Sequence, residues 1–436
     1  MNRILILGQS SGVYELALAL KNAQPSSEIS IFSLDGQMPH NQNLLADYIA
    51  KKISKDQVLC AGKDFYKTNH VELILDQKLE RISLRQKKIT TESCLSGRQA
   101  KEHVKFDTLV IAGAPEYRWP EIKGIQKQGV HHAQSLGSVE AFYQQLPFAR
   151  SIVMELYDWD DLKIALALKA WGKEVDVIIP HETRMAQMIE HEVCEMMMKS
   201  FQDSAWNVYY GRSIEEVLGD SETKAVRLSA GLSAACPADG GGKAGKVLAA
   251  DLLIMGNVQP RLRLLDDLAA PEAVSIDVNA DFQTQAPNVY AFGDVIKNDQ
   301  VRYWNLRPED LKAQAEQVAN AIFELPLTPS LKKEGGLSRE KIFPLFAKEG
   351  VGGVPYVVDL PNWFLKVTGD VTPAANVMTF RQWNPETRVY QKVFIRDGQI
   401  QGAVLINQPD IDPSWAQAAQ EDKSGEDKFS LAQTVF

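Results

Sequence analysis

The sequence lacks closely spaced cysteines. Its four, Cys60, Cys94, Cys194 and Cys236, lie far apart in 436 residues and form no CxxC pair. This spacing excludes a dithiol redox centre and a cysteine-held zinc or iron–sulfur cluster of the usual kind. The seven histidines include no HExxH motif, and we therefore predict no metal site. We expect four free thiols in a reducing compartment.

The sequence also lacks an excess of basic residues and any long apolar run. A net charge of −9 results from 47 Lys and Arg against 56 Asp and Glu, which argues against nucleic-acid binding. Apolar stretches such as 4–7, and 247–255 with Asp251 inside it, fall short of the roughly 20 residues that a membrane-spanning helix needs. The chain enters a short apolar stretch at once, without a charged leader. We therefore expect a cytoplasmic protein.

Two strand–helix–strand units stand out in the pattern of apolar residues, and such units are typical of parallel α/β folds. Short alternating segments predict a β-meander at 71–89 and a hairpin with its tip in 221–245. A linker at 325–336, rich in Pro, Lys and Gly, precedes a smaller β-rich unit. The other predicted elements are strands at 3–7, 29–32, 106–112, 151–154, 174–179, 251–255, 289–292, 364–367, 390–396 and 402–406, and helices at 13–22, 161–171 and 307–323.

Gly8 begins a turn where a strand becomes a helix, and such turns bind the pyrophosphate of a dinucleotide. Small residues let the backbone approach the phosphates, and the helix N-terminus supplies N–H donors. We therefore predict cofactor contacts for Gly8, Ser10, Ser11 and Gly12. A strict GxGxxG motif would need glycines at the places of Ser10 and Val13, so a plain strand-to-helix turn is the alternative.

Segment 284–294 carries a more specific signal. Its sequence, TQAPNVYAFGD, has a Thr, four variable residues, an apolar strand and then Gly293 and Asp294. It resembles the second FAD signature of the flavoprotein disulfide-reductase superfamily. That resemblance implies that Asp294 accepts a hydrogen bond from the ribityl chain of FAD beside Gly293, a role suited to a carboxylate. A helix cap is the alternative role for this Asp.

Other segments carry the same resemblance. Segment 106–114 is similar to the family strand that ends in Ala-Thr-Gly, and the C-terminal strands are similar to the interface domain of the NADH:rubredoxin reductase and nitrite reductase large-subunit branch. The resemblance implies an α/β fold with two Rossmann-like nucleotide-binding domains and a small C-terminal α+β domain. The implied parts are an FAD domain at 1–115 and 250–328, an NAD-binding-like domain at 116–249, an interface domain at 337–410 and a tail at 411–436. Further residues with implied FAD contacts are Asp35, Leu79, Ala112, Gly113, Ala114 and Trp304.

The second strand–helix–strand unit departs from the family. Family members have Gly-x-Gly-x-x-Gly after the strand, whereas segment 154–162 has the sequence MELYDWDDL without any glycine. The side chains of Leu156 and Tyr157 should obstruct a close backbone approach, and the four carboxylates of the segment should repel a pyrophosphate. Ile179 stands where an acidic residue would hold the ribose, and Asn257 stands where a glycine is usual. The sequence therefore argues against ordinary NAD(P)H binding in this domain.

The segment that lies near the flavin in this branch is altered as well. The family's Asn-Arg-Pro-Leu-Leu-x-Lys corresponds to 41–47, with Gln42 and Asp47 in place of the Arg and the Lys. An Asp there would disfavour an anionic reduced flavin and lower the flavin potential. No redox cysteine follows Gly12, which argues against disulfide or peroxide reduction.

These observations predict an FAD-dependent oxidoreductase subunit that relays electrons between its flavin and a redox protein partner. The partner would be an iron–sulfur or rubredoxin-like carrier or a larger redox subunit, within an oligomer or complex. One alternative is a free-standing NAD(P)H-dependent reductase with a remodelled nicotinamide site. Another is a non-catalytic assembly subunit that keeps the fold. The sequence assigns no catalytic residue.

Overall fold

The computed structural model describes residues 2–93, 101–113, 116–180, 193, 196–197, 206–230, 245–261, 275–296, 308–323, 356–360, 363–369, 371, 377–384, 386–396, 399–408 and 410–411. Three of the predicted FAD contacts are affected: Ala114, Trp304 and the side chain of Asp294 lie outside this description. The predicted linker at 325–336 and nearly all of the predicted tail lie outside it too.

The described residues form the following elements. The strands are β1 (Arg3–Leu7), β2 (Glu28–Phe32), β3 (Val71–Ile74), β4 (Gln77–Ser83), β5 (Lys88–Ser93), β6 (Lys101–Lys105), β7 (Thr108–Ile111), β8 (Glu116–Arg118), β9 (Val130–His132), β10 (Ser151–Glu155), β11 (Glu174–Ile179), β12 (Asn207–Tyr210), β13 (Ile214–Leu218), β14 (Ala225–Leu228), β15 (Val247–Ala249), β16 (Leu252–Met255), β17 (Gln259–Arg261), β18 (Val289–Ala291), β19 (Tyr356–Leu360), β20 (Trp363–Gly369), β21 (Met378–Asn384), β22 (Val389–Arg396) and β23 (Gln399–Ile406). The helices are α1 (Ser11–Ala23), α2 (Leu45–Ile49), α3 (Lys55–Val58), α4 (Lys63–Thr68), α5 (Leu136–Tyr143), α6 (Trp159–Lys169) and α7 (Pro308–Ile322), with 3₁₀ turns at Gln42–Leu44 and Gly293–Val295.

The first sheet is parallel throughout, with strand order β18-β7-β1-β2-β3. Its central strand β1 is apolar and almost wholly buried, as expected where both faces of a parallel sheet are covered. The predicted β-meander at 71–89 is wrong in part, because β3 pairs with β2 in this sheet and only β4 and β5 form a hairpin, which β6 extends. Helices α2, α3 and α4 supply the crossover that parallel pairing of β2 and β3 requires.

The second sheet is also parallel, with strand order β12-β11-β10-β16-β9. It contains the predicted strands β10 and β11, with α6 between them in sequence. Strand β16 pairs with β10 on one side and with β9 on the other. Strand β16, which follows the predicted boundary at residue 250, thus lies in the second sheet, and the division into domains stays a prediction.

Antiparallel strands complete the architecture. Strands β14 and β15 flank the predicted hairpin and pair with Ala225 opposite Ala249, while the tip at 231–244 lies outside the described residues. The C-terminal unit is a five-stranded sheet with the order β19-β20-β23-β22-β21. One hydrophobic core joins this sheet to the second domain and to α2, through residues such as Trp363, Ile164 and Leu45.

The predicted fold class is confirmed by two parallel sheets with helices and a separate C-terminal sheet. Within the residues that the structure describes, no helix is long and apolar enough to cross a membrane. The same residues bring together no group of three His, Cys, Asp or Glu side chains that could hold a metal ion.

Candidate functional site

The carboxyl ends of β1 and β7 meet at Gly8. The Gly8 N–H donates to the Phe32 carbonyl at 3.1 Å, and the Ala112 N–H donates to the Leu7 carbonyl at 2.8 Å. Gly8 has a φ of +148°, and a Cβ on it would lie 2.7 Å from the Ala112 carbonyl oxygen, so only glycine fits. The sheet continues from β1 to β3 on one side and from β7 to β18 on the other. Gly8 therefore lies at a topological switch point, where open α/β sheets bind ligands.

Helix α1 begins at this switch point. Its N-cap residue, Ser10, is extended, with φ −73° and ψ 168°, and its side chain makes no capping hydrogen bond to the described residues. The first turn of α1 contains no acidic residue. The Val13 N–H donates to the Ser10 carbonyl at 3.0 Å. No side chain among the described residues caps the N–H groups before it, and the positive end of the helix dipole favours an anionic ligand there.

Gly12 joins the two ends of the predicted site. A Cβ on Gly12 would lie 2.9 Å from Phe292 Cε2 and 3.1 Å from Leu311 Cδ2, so α1 packs closely against the end of β18 and against α7. The first turn and the segment with Gly293 are thus brought together. The geometry gives Gly12 the close-packing role that the family motif gives to its third glycine, one residue later. That residue is Val13, which is fully buried here.

The backbone of Gly293 is held by a buried side chain. Gly293 has a φ of +81°, and its N–H donates to Gln314 Oε1 at 2.9 Å. Gln314 lies on α7 and is 7% exposed. Sequence analysis missed this residue. The signal for it is a polar side chain on the buried face of a helix, beside Leu311 and Ala315.

Gln9 is a second residue that sequence analysis missed. Its side chain is 4% exposed, and its Oε1 atom has no hydrogen-bond partner among the residues that the structure describes. A Cβ on Gly113 would lie 3.4 Å from Gly8 Cα, 3.5 Å from Leu34 Cδ1 and 3.7 Å from Gln9 Oε1. The absent side chain of Gly113 thus leaves a cradle between the ends of β1 and β7, and an unpaired polar atom borders it.

Two further predicted contacts have protein partners. The Asp35 carboxylate accepts hydrogen bonds from Ser33 Oγ and from the N–H groups of Gln37 and Gly137, each at 3.0 Å. Leu79 is buried in the core of the first domain. Their roles toward FAD stay predictions, because each already has a structural role in the protein.

Helix α5 begins on side chains of the first domain. The Leu136 N–H donates to His40 Nε2 at 3.2 Å, beside the bond from Gly137 to Asp35. His40 Nδ1 lies 3.0 Å from the Met38 carbonyl oxygen, to which it donates when Nε2 accepts. Burial lowers the pKa of His40, which favours this neutral form. The first domain thereby binds the start of α5, which follows β9 of the second sheet.

The second turn follows β10, which ends at Glu155. A GxGxxG motif directly after this strand would place glycines at 156, 158 and 161, and the chain has Leu156, Asp158 and Asp161 there. Leu156 is fully buried in the hydrophobic core. The Leu156 side chain therefore does not obstruct the turn as we predicted, because it lies in the core. The two aspartates are the side chains that fill the turn.

Asp158 and Asp161 bind the N–H groups at the start of α6. Asp158 Oδ1 accepts from the N–H groups of Asp160 at 3.0 Å and Asp161 at 3.2 Å. Asp161 Oδ2 accepts from the N–H groups of Tyr157 at 2.8 Å and Asp158 at 3.0 Å. The donors that cradle a pyrophosphate in a glycine-rich turn are therefore bound to carboxylates of the chain itself.

Buried carboxyl groups also fill the switch point of the second sheet. Glu155 and Asp161 are 4% and 6% exposed, and the Asn257 N–H donates to Glu155 Oε2 at 3.3 Å. A Cβ on Gly256 would overlap the Asp161 carboxylate and lie 2.6 Å from the Glu155 carbonyl oxygen. Burial raises the pKa of Glu155 to about 7 and raises the pKa of Asp161 well above its usual range. The crevice is thus occupied by the protein.

Segment 41–47 is bound to the second domain. Gln42 Nε2 donates to the Gln134 carbonyl at 3.2 Å, and just beyond the segment Tyr48 OH donates to Glu140 at 2.5 Å. Asp47 forms an ion pair with Lys52 at 3.0 Å. The negative charge that we predicted near the flavin therefore has a cationic neighbour.

Cys60 is the single cysteine among the described residues. It forms no disulfide, and burial raises the pKa of its thiol to about 12. Reactivity requires the thiolate. Cys60 therefore has the properties of a structural residue.

Known proteins of similar sequence and fold cover most of the chain. It is 20% identical over 405 residues to nitrite reductase [NAD(P)H] of Bacillus subtilis, covering 92% of this chain and 45% of that protein. It is 20% identical over 413 residues to the 5,5'-dehydrodivanillate O-demethylase ferredoxin reductase subunit of Sphingobium sp., covering 92% of this chain and 89% of that protein. The chain thus spans less than half the length of the first relative.

A solved structure, the NADH:rubredoxin oxidoreductase of Clostridium acetobutylicum, has the same fold. It superposes with a TM-score of 0.65 and 16% identity, covering all of this chain and 98% of that one. The family model for pyridine nucleotide-disulphide oxidoreductases matches residues 2–154 and 162–324. The break in the match falls at the second turn. Because the match takes in well over half of the 436 residues, the chain belongs to the pyridine nucleotide-disulphide oxidoreductase family.

Proposed function

We propose that this chain is an FAD-dependent oxidoreductase subunit that relays electrons between its flavin and a redox protein, and that its second domain takes no NAD(P)H. One observation carries the proposal: no side chain among the described residues caps the first turn, whereas Asp158 and Asp161 accept hydrogen bonds from the N–H groups at the second. The same fold therefore keeps one dinucleotide site and fills the other.

The residues at the first turn fit the pyrophosphate of FAD. Gly8 lets β1 and β7 approach closely, the missing side chain of Gly113 leaves room beside their ends, and the start of α1 offers N–H donors without a competing carboxylate. Gly293, held by Gln314, places the backbone of the second FAD signature beside Gly12. When bound, FAD supplies a redox centre that exchanges electrons with other molecules. The protein's own part is to bind and orient that group.

The second turn has lost what a nicotinamide dinucleotide needs. A ligand there would have to displace two carboxylates that together accept four N–H bonds. Its phosphates would also meet Glu155 in the same crevice. The displaced carboxylates would lose these bonds, at a cost that the ligand would have to exceed.

A protein is the proposed electron partner, because the chain offers no dithiol or metal motif for another relay. Two similar proteins are named as a ferredoxin reductase subunit and an NADH:rubredoxin oxidoreductase. An iron–sulfur or rubredoxin-like carrier, or a larger redox subunit, is the partner class that we propose. The net charge of −9 favours a partner with a basic rim and an association that weakens with salt.

The test begins with the full chain and added FAD. Stable flavin absorbance after gel filtration is expected, and its absence would support the non-catalytic assembly subunit. NADH or NADPH is then added without air, and the flavin absorbance should persist. Rapid bleaching at micromolar NADH would support the free-standing reductase instead.

Purification from the native source at low salt should then yield a redox protein that dissociates as salt is raised.

A further inference from the structure

Gln9 is a buried polar side chain at the first turn. It lies between Gly8, where β1 meets β7, and Ser10, the N-cap of α1. The backbone around it is fixed, because the Gln9 carbonyl accepts the His40 N–H at 2.9 Å. The side chain is 4% exposed, and Oε1 forms no hydrogen bond within the described part of the chain. A buried polar atom left unpaired destabilises a protein unless a ligand or another group pairs with it.

The position of the carboxamide points to a ligand in the cradle. Gln9 Oε1 lies 3.7 Å from the place where Gly113 would carry a Cβ, and the open N-terminus of α1 adjoins the same turn. The positive end of that helix attracts an anion. Rotation of the carboxamide exchanges Oε1 and Nε2, so the side chain can present N–H donors to phosphate oxygens.

Resting on the proposed function, we propose that the Gln9 carboxamide donates a hydrogen bond to the pyrophosphate of FAD. The chain has Ser10 and Val13 where the strict motif has glycines, so its backbone approach to the phosphates is reduced. A neutral side-chain donor at residue 9 compensates for that loss. The Gln9 carboxamide adds no charge to the buried site where the carboxyl ends of β1 and β7 meet.

Substitution of Gln9 separates this role from a structural one, because the two readouts change in opposite directions. Gln9→Leu removes the unpaired oxygen at similar volume, so the apoprotein should unfold at a higher temperature. The same variant should bind FAD about 10-fold more weakly, as measured by quenching of FAD fluorescence on titration with apoprotein. Gln9→Met provides a second apolar variant in case branching crowds the turn.

The chemistry of the bond is tested by Gln9→Glu. A carboxylate would face the pyrophosphate, so FAD affinity should fall further than in Gln9→Leu. Retention of wild-type affinity in Gln9→Glu would mean that residue 9 accepts from a hydroxyl, and would overturn the pyrophosphate assignment. Gln391→Leu, at another buried glutamine in the C-terminal sheet, is the matched control and should leave FAD affinity unchanged.

The wild-type protein decides which proposal has failed. If it binds no FAD, the proposed function is wrong. If it binds FAD and both apolar variants bind equally well, the role of Gln9 is wrong while the function stands. A reduced affinity in Gln9→Leu with a stabilised apoprotein supports the inference.

Discussion

The two strand-to-helix turns of this chain each join a parallel strand to a helix, but they differ in the side chains that accept hydrogen bonds from the N–H groups at the start of the helix. The first follows β1 and leaves the start of α1 without a side-chain cap among the described residues. The second follows β10, and Asp158 and Asp161 cap the start of α6 from within. A helix N-terminus requires acceptors for its leading N–H groups. At the second turn the chain itself supplies those acceptors, and the strand and helix are formed in both units.

The comparison also explains why the second domain keeps its fold without glycines. Leu156 turns into the hydrophobic core, and Gly256 of the neighbouring strand end makes room for the Asp161 carboxylate. At this switch point the small residue is Gly256, at the end of β16. The glycine allows a close contact between its backbone and the Asp161 side chain, rather than between the backbone and a ligand.

The largest expected effect comes from adding a methyl group at either switch point. Gly8→Ala places a Cβ against the Ala112 carbonyl at a positive φ, and should lower the free energy of unfolding by about 3 kcal/mol. FAD affinity should fall at least about 100-fold. Gly256→Ala, its counterpart in the second domain, should cost similar stability and leave FAD affinity unchanged. Urea unfolding and FAD titration measure both, and wild-type FAD affinity in Gly8→Ala would place the cofactor elsewhere.

We expect the stability of the protein to depend on pH through Glu155, at the second turn. The pKa of Glu155 in the folded protein is about 7, above its ordinary value of 4.5. Its proton is therefore held more tightly in the folded state, and the associated stability is full below pH 4.5 and lost as pH rises through 7. Between these limits the wild type should lose on the order of 3 kcal/mol relative to Glu155→Gln. The measurement is urea unfolding at a series of pH values. Glu121→Gln, at an exposed site, should parallel the wild type, and a parallel curve for Glu155→Gln would contradict the burial argument.

Removal of one internal cap should cost less. Asp161→Ala leaves the N–H groups of Tyr157 and Asp158 without their acceptor, and should lower the free energy of unfolding by about 2 kcal/mol. Asp161→Asn keeps an acceptor oxygen and removes the buried charge, so it should lose less than half as much. Equal losses in the two variants, measured by urea unfolding, would show that charge rather than N–H pairing matters at this turn.

Much of this contrast was predictable from the sequence. The apolar runs of β1 and β10 and the missing glycines after Glu155 are local features, and they indicated two similar units with one altered turn. The capping bonds were not predictable, because they depend on where α6 begins and on the direction of each aspartate side chain. Gln9 and Gln314 were not predicted as site residues, because their burial arises from strands and helices far apart in sequence. The sheet that contains β16 is likewise a property of the whole fold.

Gln314 offers a smaller test at the first site. Gln314→Leu removes the acceptor for the Gly293 N–H, and should cost about 1 kcal/mol of stability and about 10-fold in FAD affinity. The matched control lies on the same helix, where Gln317 Nε2 donates to the Ala280 carbonyl at 2.8 Å. Gln317→Leu should cost similar stability with FAD affinity unchanged. Equal affinities in the two variants would mean that Gln314 is structural only.

The smallest expected effect compares the two N-cap residues directly. Asp158→Ala removes a side chain that accepts two N–H groups of α6, and should lower the free energy of unfolding by about 1 kcal/mol. Ser10→Ala removes a side chain that makes no capping bond to α1. In the apoprotein it should therefore change stability by less than about 0.5 kcal/mol. Unfolding curves of both apoproteins in urea measure the difference. A loss in Ser10→Ala as large as that in Asp158→Ala would show that the first turn is capped in solution, and its N–H groups would then not be open to a cofactor.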